Sequence, residues 1–181
     1  DAGKEVNERF TDKTISELVK ACFDMGEVKT GALIVIEQEE KLTDYIRTGI
    51  NVDAILTSQL LINIFEHNTP LHDGAVIVRE NRIVAATCYL PLSDNMELSK
   101  QLGTRHRAGV GISEQTDSVT IIVSEETGQV SVAQSGKLIR GVNSAKLREI
   151  LVRAQNKQVV DNSKLRHLLK GRMKHEEEKT H

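Results

Sequence analysis

The sequence predicts an α/β fold, a single globular domain with a central mixed β-sheet flanked by helices. Three observations lead there. Segments of helical and strand periodicity interleave along the chain. The core-forming residues are aliphatic, with no Trp and 3% aromatic residues in a chain that is 39% hydrophobic. The 181 residues suffice for one two-sided core, whereas a second full domain would leave both undersized. No repeat of fixed period and no Pro/Gly/Ser linker interrupts the chain.

Residues 1–11 read as an N-terminal linker and 12–157 as the domain. The first helix falls over 14–22, where Ile15, Leu18, Val19 and Cys22 share a face and Thr14 with Glu17 fits a capping box. GALIVIE at 31–37 is a short apolar run bounded by Gly, as in a buried central strand. A second helix covers 57–67, with Leu60, Leu61, Ile64 and Phe65 on one side and Thr57 or Ser58 as N-cap. The runs 75–78 and 82–89 flank Glu80-Asn81 and predict a hairpin. NTPLHDG is therefore a loop feeding a strand. Residues 103–114 read as a helix weakened by Gly109 and Gly111, at roughly 1 kcal/mol each. SVTIIVSE and QVSVA form a second hairpin across 126–128. A last helix starts at Asn143 or Ser144 and carries Leu147, Ile150, Leu151 and Ala154 on one face. The charged segment 158–181 is expected to fray.

Charge and motifs narrow the function. With Lys+Arg 24 against Asp+Glu 26, the net charge of −2 offers no global field for a nucleic acid, so any phosphate site must be local. Cys22 and Cys88 are too few for a zinc cluster and read as reduced cytosolic thiols. No apolar run reaches the roughly 18–20 residues of a membrane span, no signal peptide precedes the domain, and a start at Asp1 is expected of a piece of a longer protein. There is no Walker loop, and GVGISE at 109–114 fails the dinucleotide fingerprint. Lys29-Thr30-Gly31 lacks the SxxK that would give it meaning, and the terminal HEEEKTH fails HExxH because Lys179 replaces the second His.

Two motifs remain. LHDGA at 71–75 sets His72 and Asp73 beside Gly74 at a strand entrance; it is compatible with an ordinary Asp-Gly turn and with a metal- or proton-handling pair. GTRHR at 103–107 follows a Gly-Thr with two Arg forks, which suit phosphate oxygens but also occur as solvated surface clusters. VSEE at 123–126 adds Ser124 as a phosphate donor and Glu125 or Glu126 as a metal ligand with His72.

GALIVIE, LHDGAVIV and GTRHRAGVGISE, in this order and spacing, resemble the catalytic domain of diadenylate cyclases over residues 12–157, most like the membrane-anchored single-domain type of Firmicutes. The resemblance implies that two ATP are condensed into cyclic di-AMP with release of pyrophosphate, with a divalent metal (Mn2+, Mg2+ or Co2+) as cofactor. It implies Asp73, Gly74 and Ala75 as the catalytic turn, with Asp73 activating the ribose 3′-hydroxyl. Thr104, Arg105, His106, Arg107 and Ser124 would bind ATP phosphates, Tyr89 and Leu90 would line the adenine, and His72 with Glu126 would hold the metal. A symmetric product needs two attacks and each chain has one Asp73, so a face-to-face homodimer is expected. The family further implies a cytoplasmic catalytic domain anchored by N-terminal membrane helices, and a YbbR-repeat protein and a phosphoglucosamine mutase as regulators. A nucleotide-sensing module without turnover and an adenylyltransferase with another acceptor use the same clamp and stay open.

Overall fold

A computed structural model describes residues 7–157; the expectation for 158–181 lies outside the described residues. Helix α1 (Asp12–Glu27) leads into strand β1 (Ala32–Ile36), the short helix α2 (Thr43–Ile46), β2 (Ile50–Ile55) and α3 (Ser58–Phe65). The hairpin β3 (Ala75–Arg79) and β4 (Arg82–Cys88) precedes α4 (Thr104–Gln115). Strands β5 (Val119–Val123), β6 (Val130–Gln134) and β7 (Lys137–Ile139) follow, and α5 (Ser144–Gln155) closes the series.

The seven strands form one mixed sheet in the order β2-β4-β3-β1-β5-β6-β7. β1 runs parallel to β3, Val35 opposite Ile77, and antiparallel to β5, with Ala32 opposite Val123. Having a partner on each side and helices over both faces, β1 is buried at every position. Its side chains alternate between two cores, as the two-residue strand period requires. Ala32, Ile34 and Ile36 join residues of α1, α3 and α5, whereas Leu33 and Val35 join Ala108, Val110 and Ile112 of α4. Three helices therefore cover one face, and α4 with the short α2 the other.

The predicted helices and both hairpins are present. The capping box is not: α1 begins two residues before Thr14, and its N-cap is Thr11, which accepts from the Thr14 amide. Thr14 is buried within the first turn and donates to Asn81 Oδ1 at 2.7 Å. Glu17 instead accepts from the Ser58 amide at 2.6 Å, so its carboxylate caps α3 across the helix pair. Phe10, ahead of α1, is buried in the core. Strands β2 and β7 and helix α2 carry no clear signal in the sequence. β2 and β7 are the two sheet edges, β2 is broken by a register shift at Asn51/Ala54, and α2 has four residues and no side-chain cap.

The glycines of α4 do not loosen it. A Cβ on Gly109 would lie 2.8 Å from Ile122 Cδ1, and one on Gly111 would collide with the Pro91 carbonyl. Both permit close packing, one against β5 and one against the segment after β4. Ser93 in that segment donates its amide to the Arg107 carbonyl at 3.0 Å.

Candidate functional site

Strand direction gathers the chemistry at one end of the sheet. β1 and β3 begin there, preceded by Gly31 and by Asp73-Gly74, while β4 and β5 end there, followed by Tyr89-Leu90 and by Ser124–Glu126. Helix α4 contributes its N-terminus. Two cavities result, and both are lined by Thr104, Arg105 and Glu125.

The larger cavity, about 370 Å³, holds His72, Asp73 and Gly74 on one wall, Tyr89, Leu90 and Leu92 on another, and Arg105 and Ala108 of α4 on a third. His72 Nδ1 lies 2.7 Å from the Thr69 carbonyl, which fixes the proton on that nitrogen. The other ring nitrogen, Nε2, is 3.4 Å from Asp73 Oδ1. An imidazole nitrogen and a carboxylate oxygen thus face each other, with the imidazole anchored to a carbonyl as in metal-binding histidines. Among the described residues no three His, Cys, Asp or Glu side chains converge as a metal cluster. Asp73 itself is 88% exposed at the rim.

Gly74 has φ +83°, and a Cβ there would meet the Thr87 and Cys88 backbone at 2.9 Å. Its lack of a side chain therefore serves the approach of β4. Ala75 is fully buried in β3 and does not reach the cavity surface. Thr87, a β-branched residue at φ 54°, marks a strained point inside β4, at the register shift between its Ile77↔Ala85 and Ala75↔Cys88 pairs with β3. Beyond it Leu90 turns inward and Tyr89 stands 74% exposed, its amide held by Thr48 Oγ1 at 2.8 Å.

The second cavity, about 180 Å³, lies on the other side of Arg105. Gly103 is the N-cap of α4 and supplies no side-chain cap, so the first amides of the helix open onto this space. Arg105 Nη1 pairs with Glu125 at 3.3 Å, and the guanidinium lies where a Cβ on Gly31 would be. His106 is 8% exposed; burial, reinforced by Arg140 and Arg105, lowers its pKa and keeps the ring neutral. Ser124 Oγ accepts from the amides of Glu126 and Thr127, which leaves its O–H as a donor.

The family described as DisA bacterial checkpoint controller nucleotide-binding, or DAC, matches residues 19–138. This chain belongs to the DAC family. It is 53% identical over 165 residues to cyclic di-AMP synthase CdaA of Bacillus subtilis, covering 91% of this chain and 60% of the relative. It is 52% identical over 146 residues to a diadenylate cyclase of Listeria monocytogenes, covering 81% and 54%. The DAC chain thus spans little more than half the length of these curated relatives. A crystal structure of DacA from Staphylococcus aureus, a double mutant, superposes with a TM-score of 0.78 at 50% identity, covering 79% of this chain and 95% of that one. A hypothetical membrane spanning protein from Bacillus cereus matches with a TM-score of 0.70 at 44% identity, covering 74% and 65%.

In this DAC domain, the larger cavity brings His72, Asp73, Gly74, Tyr89 and Leu90 together with Thr104 and Arg105. His106, Ser124 and Glu126 line the second cavity, so Glu126 and His72 do not share a wall. Arg107 lines neither. Leu92 and Arg140 join the site without belonging to the motifs that predict it, and Gly31, which opens GALIVIE, joins it as the seat of Arg105. Leu92 follows Leu90 closely enough to be grouped with it, whereas Arg140 carries no local signal.

Proposed function

We propose that this chain is a diadenylate cyclase, condensing two ATP into cyclic di-AMP and two pyrophosphates. The observation that carries this reading is the single cavity in which the Asp73 carboxylate faces Arg105 at the start of α4. Relatives named cyclic di-AMP synthase and diadenylate cyclase support it.

Each new bond forms when a ribose 3′-hydroxyl attacks an α-phosphate in line and pyrophosphate leaves. Asp73 accepts the hydroxyl proton. Arg105 and the open amides of α4 stabilise charge developing on the phosphates, and Thr104, neutral His106 and the Ser124 hydroxyl orient the tail by hydrogen bonds. Arg107, which faces neither cavity, would contribute only after a rearrangement. Leu90 and the exposed Tyr89 ring form the apolar side on which an adenine is expected to rest. A divalent ion (Mn2+, Mg2+ or Co2+), when bound, supplies charge neutralisation of the triphosphate and acidifies the attacking hydroxyl. His72 and Asp73 would hold it, with phosphate oxygens and water completing the shell, and Glu126 is positioned for an ion on the phosphate tail.

The exposure of Asp73 at the cavity rim suits a carboxylate that acts across a contact between two chains, each supplying one ATP and one attack. No described helix is long and apolar enough to cross a membrane. The membrane anchor, the cytoplasmic placement and the YbbR-repeat and phosphoglucosamine mutase partners belong to the whole protein and rest on the family resemblance.

Asp73→Asn tests the reading. The variant should bind ATP as the parent does and lose cyclic di-AMP formation by about a hundred- to a thousandfold. Cyclisation at the parent rate by this variant would overturn the role of Asp73.

A further inference from the structure

The second cavity extends beyond both recognised motifs, to the end of β7. β7 pairs antiparallel with β6, Ile139 opposite Val132, and β6 pairs with β5, Ser131 opposite Ile122. This pairing returns the chain at Arg140 to the wall that holds Ser124 and the α4 N-terminus. Gly141, at φ 63°, turns the chain there against the Gln129 side chain.

The charges around this cavity are unequal in availability. Arg105 is already engaged by Glu125 at 3.3 Å. His106 is neutral, is more than nine-tenths buried and makes no hydrogen bond through its ring among the described residues, although it lines the cavity. Glu126 is exposed and adds a negative charge that a polyphosphate would tolerate only with a cation alongside. Arg140 is the one guanidinium lining the cavity that is free of an ion pair among the described residues. A helix N-terminus with no side-chain cap, a buried unpartnered imidazole and a free guanidinium converge on a space whose donors suit phosphoryl groups.

Resting on the cyclase reading, we propose that Arg140 is the specificity residue that grips the terminal phosphates of ATP and retains pyrophosphate after the attack, so that the enzyme prefers a triphosphate to a shorter nucleotide. Asp73 and Arg140 then lie on opposite sides of Arg105, which places the bond to be broken near Arg105 and the leaving group beyond it.

The test is direct binding of Mg2+-pyrophosphate and of AMP to the parent, Arg140→Ala, Arg140→Lys and Lys137→Ala. Lys137 is an exposed cation at the start of β7, three residues before Arg140, and lines neither cavity, so it controls for general charge. The expected result is a loss of about tenfold or more in pyrophosphate affinity for Arg140→Ala, an intermediate loss for Arg140→Lys, none for Lys137→Ala, and equal AMP affinity throughout. Pyrophosphate binding that is absent in the parent, unchanged in Arg140→Ala, or weakened equally by Lys137→Ala overturns the proposal. Failure of the cyclase reading is seen separately, as absence of cyclic di-AMP from the parent.

Discussion

Asp73 and His106 illustrate how one site makes opposite demands on neighbouring polar groups. Asp73 is left in solvent at a rim, while His106 is enclosed in the first turn of α4. Burial, with Arg140 and Arg105 nearby, depresses the imidazole pKa below its ordinary value of 6.5. Below 6.5 the unfolded chain takes up a proton that the folded chain refuses, so the native state loses stability as pH falls from there to the lower native pKa. His106→Gln should remove that part of the acid sensitivity, a difference visible in urea melts run on either side of 6.5. Glu37 shows the reverse sign. Its buried carboxylate suffers desolvation, but bonds from Arg79 at 2.8 and 2.9 Å and from the Leu42 amide outweigh it and lower the pKa. Its contribution is complete above the ordinary carboxylate range and is lost as pH falls through the depressed native value. Glu37→Gln should therefore cost about 2–3 kcal/mol near neutrality, with the deficit shrinking in acid.

Helix α4 is where packing and function meet at the scale of an element. Its start at Gly103 is open, with nothing within 4 Å of the place a Cβ would take and no side-chain cap. Gly103→Asp should stabilise the helix by a few tenths of a kcal/mol and weaken ATP binding several-fold, because the new carboxylate takes the amides a phosphate would use. Thermal melts and ATP titrations of the same preparation separate the two effects. Gly111→Ala should cost about 1–3 kcal/mol, since the Pro91 carbonyl occupies the space. The helix is legible from its flanking residues despite these glycines, whose purpose depends on β5 and on the Pro91 segment and cannot be read locally. β1 and both hairpins are legible because β-branched runs between turn residues have few other uses. β2 is not: Asn51 and Asp53 interrupt its apolar pattern, and Asp53 at φ 47° accompanies a bulge on an edge strand. At the site, LHDGA and GTRHR stand out as clusters. The seat of Arg105 over Gly31 and the return of Arg140 arise only from strand order, which brings together residues 74 and 35 positions apart.

Over the whole molecule, the sheet places the start of two parallel strands and the ends of two antiparallel ones at one end, and the proposed chemistry follows from that convergence. A chain carries one Asp73 and one clamp around Arg105, whereas a ring with two phosphodiester bonds requires two of each. On the cyclase reading, one chain is therefore half of a working site. The most direct test is the initial rate of cyclic di-AMP formation from ATP with Mn2+ or Mg2+, measured across a dilution series of the protein. A rate rising with the square of protein concentration at the dilute end, and becoming linear once dimers saturate, is the expected result. A rate proportional to protein concentration down to dilutions at which sedimentation shows only single chains, or no cyclic di-AMP at any concentration, would contradict it.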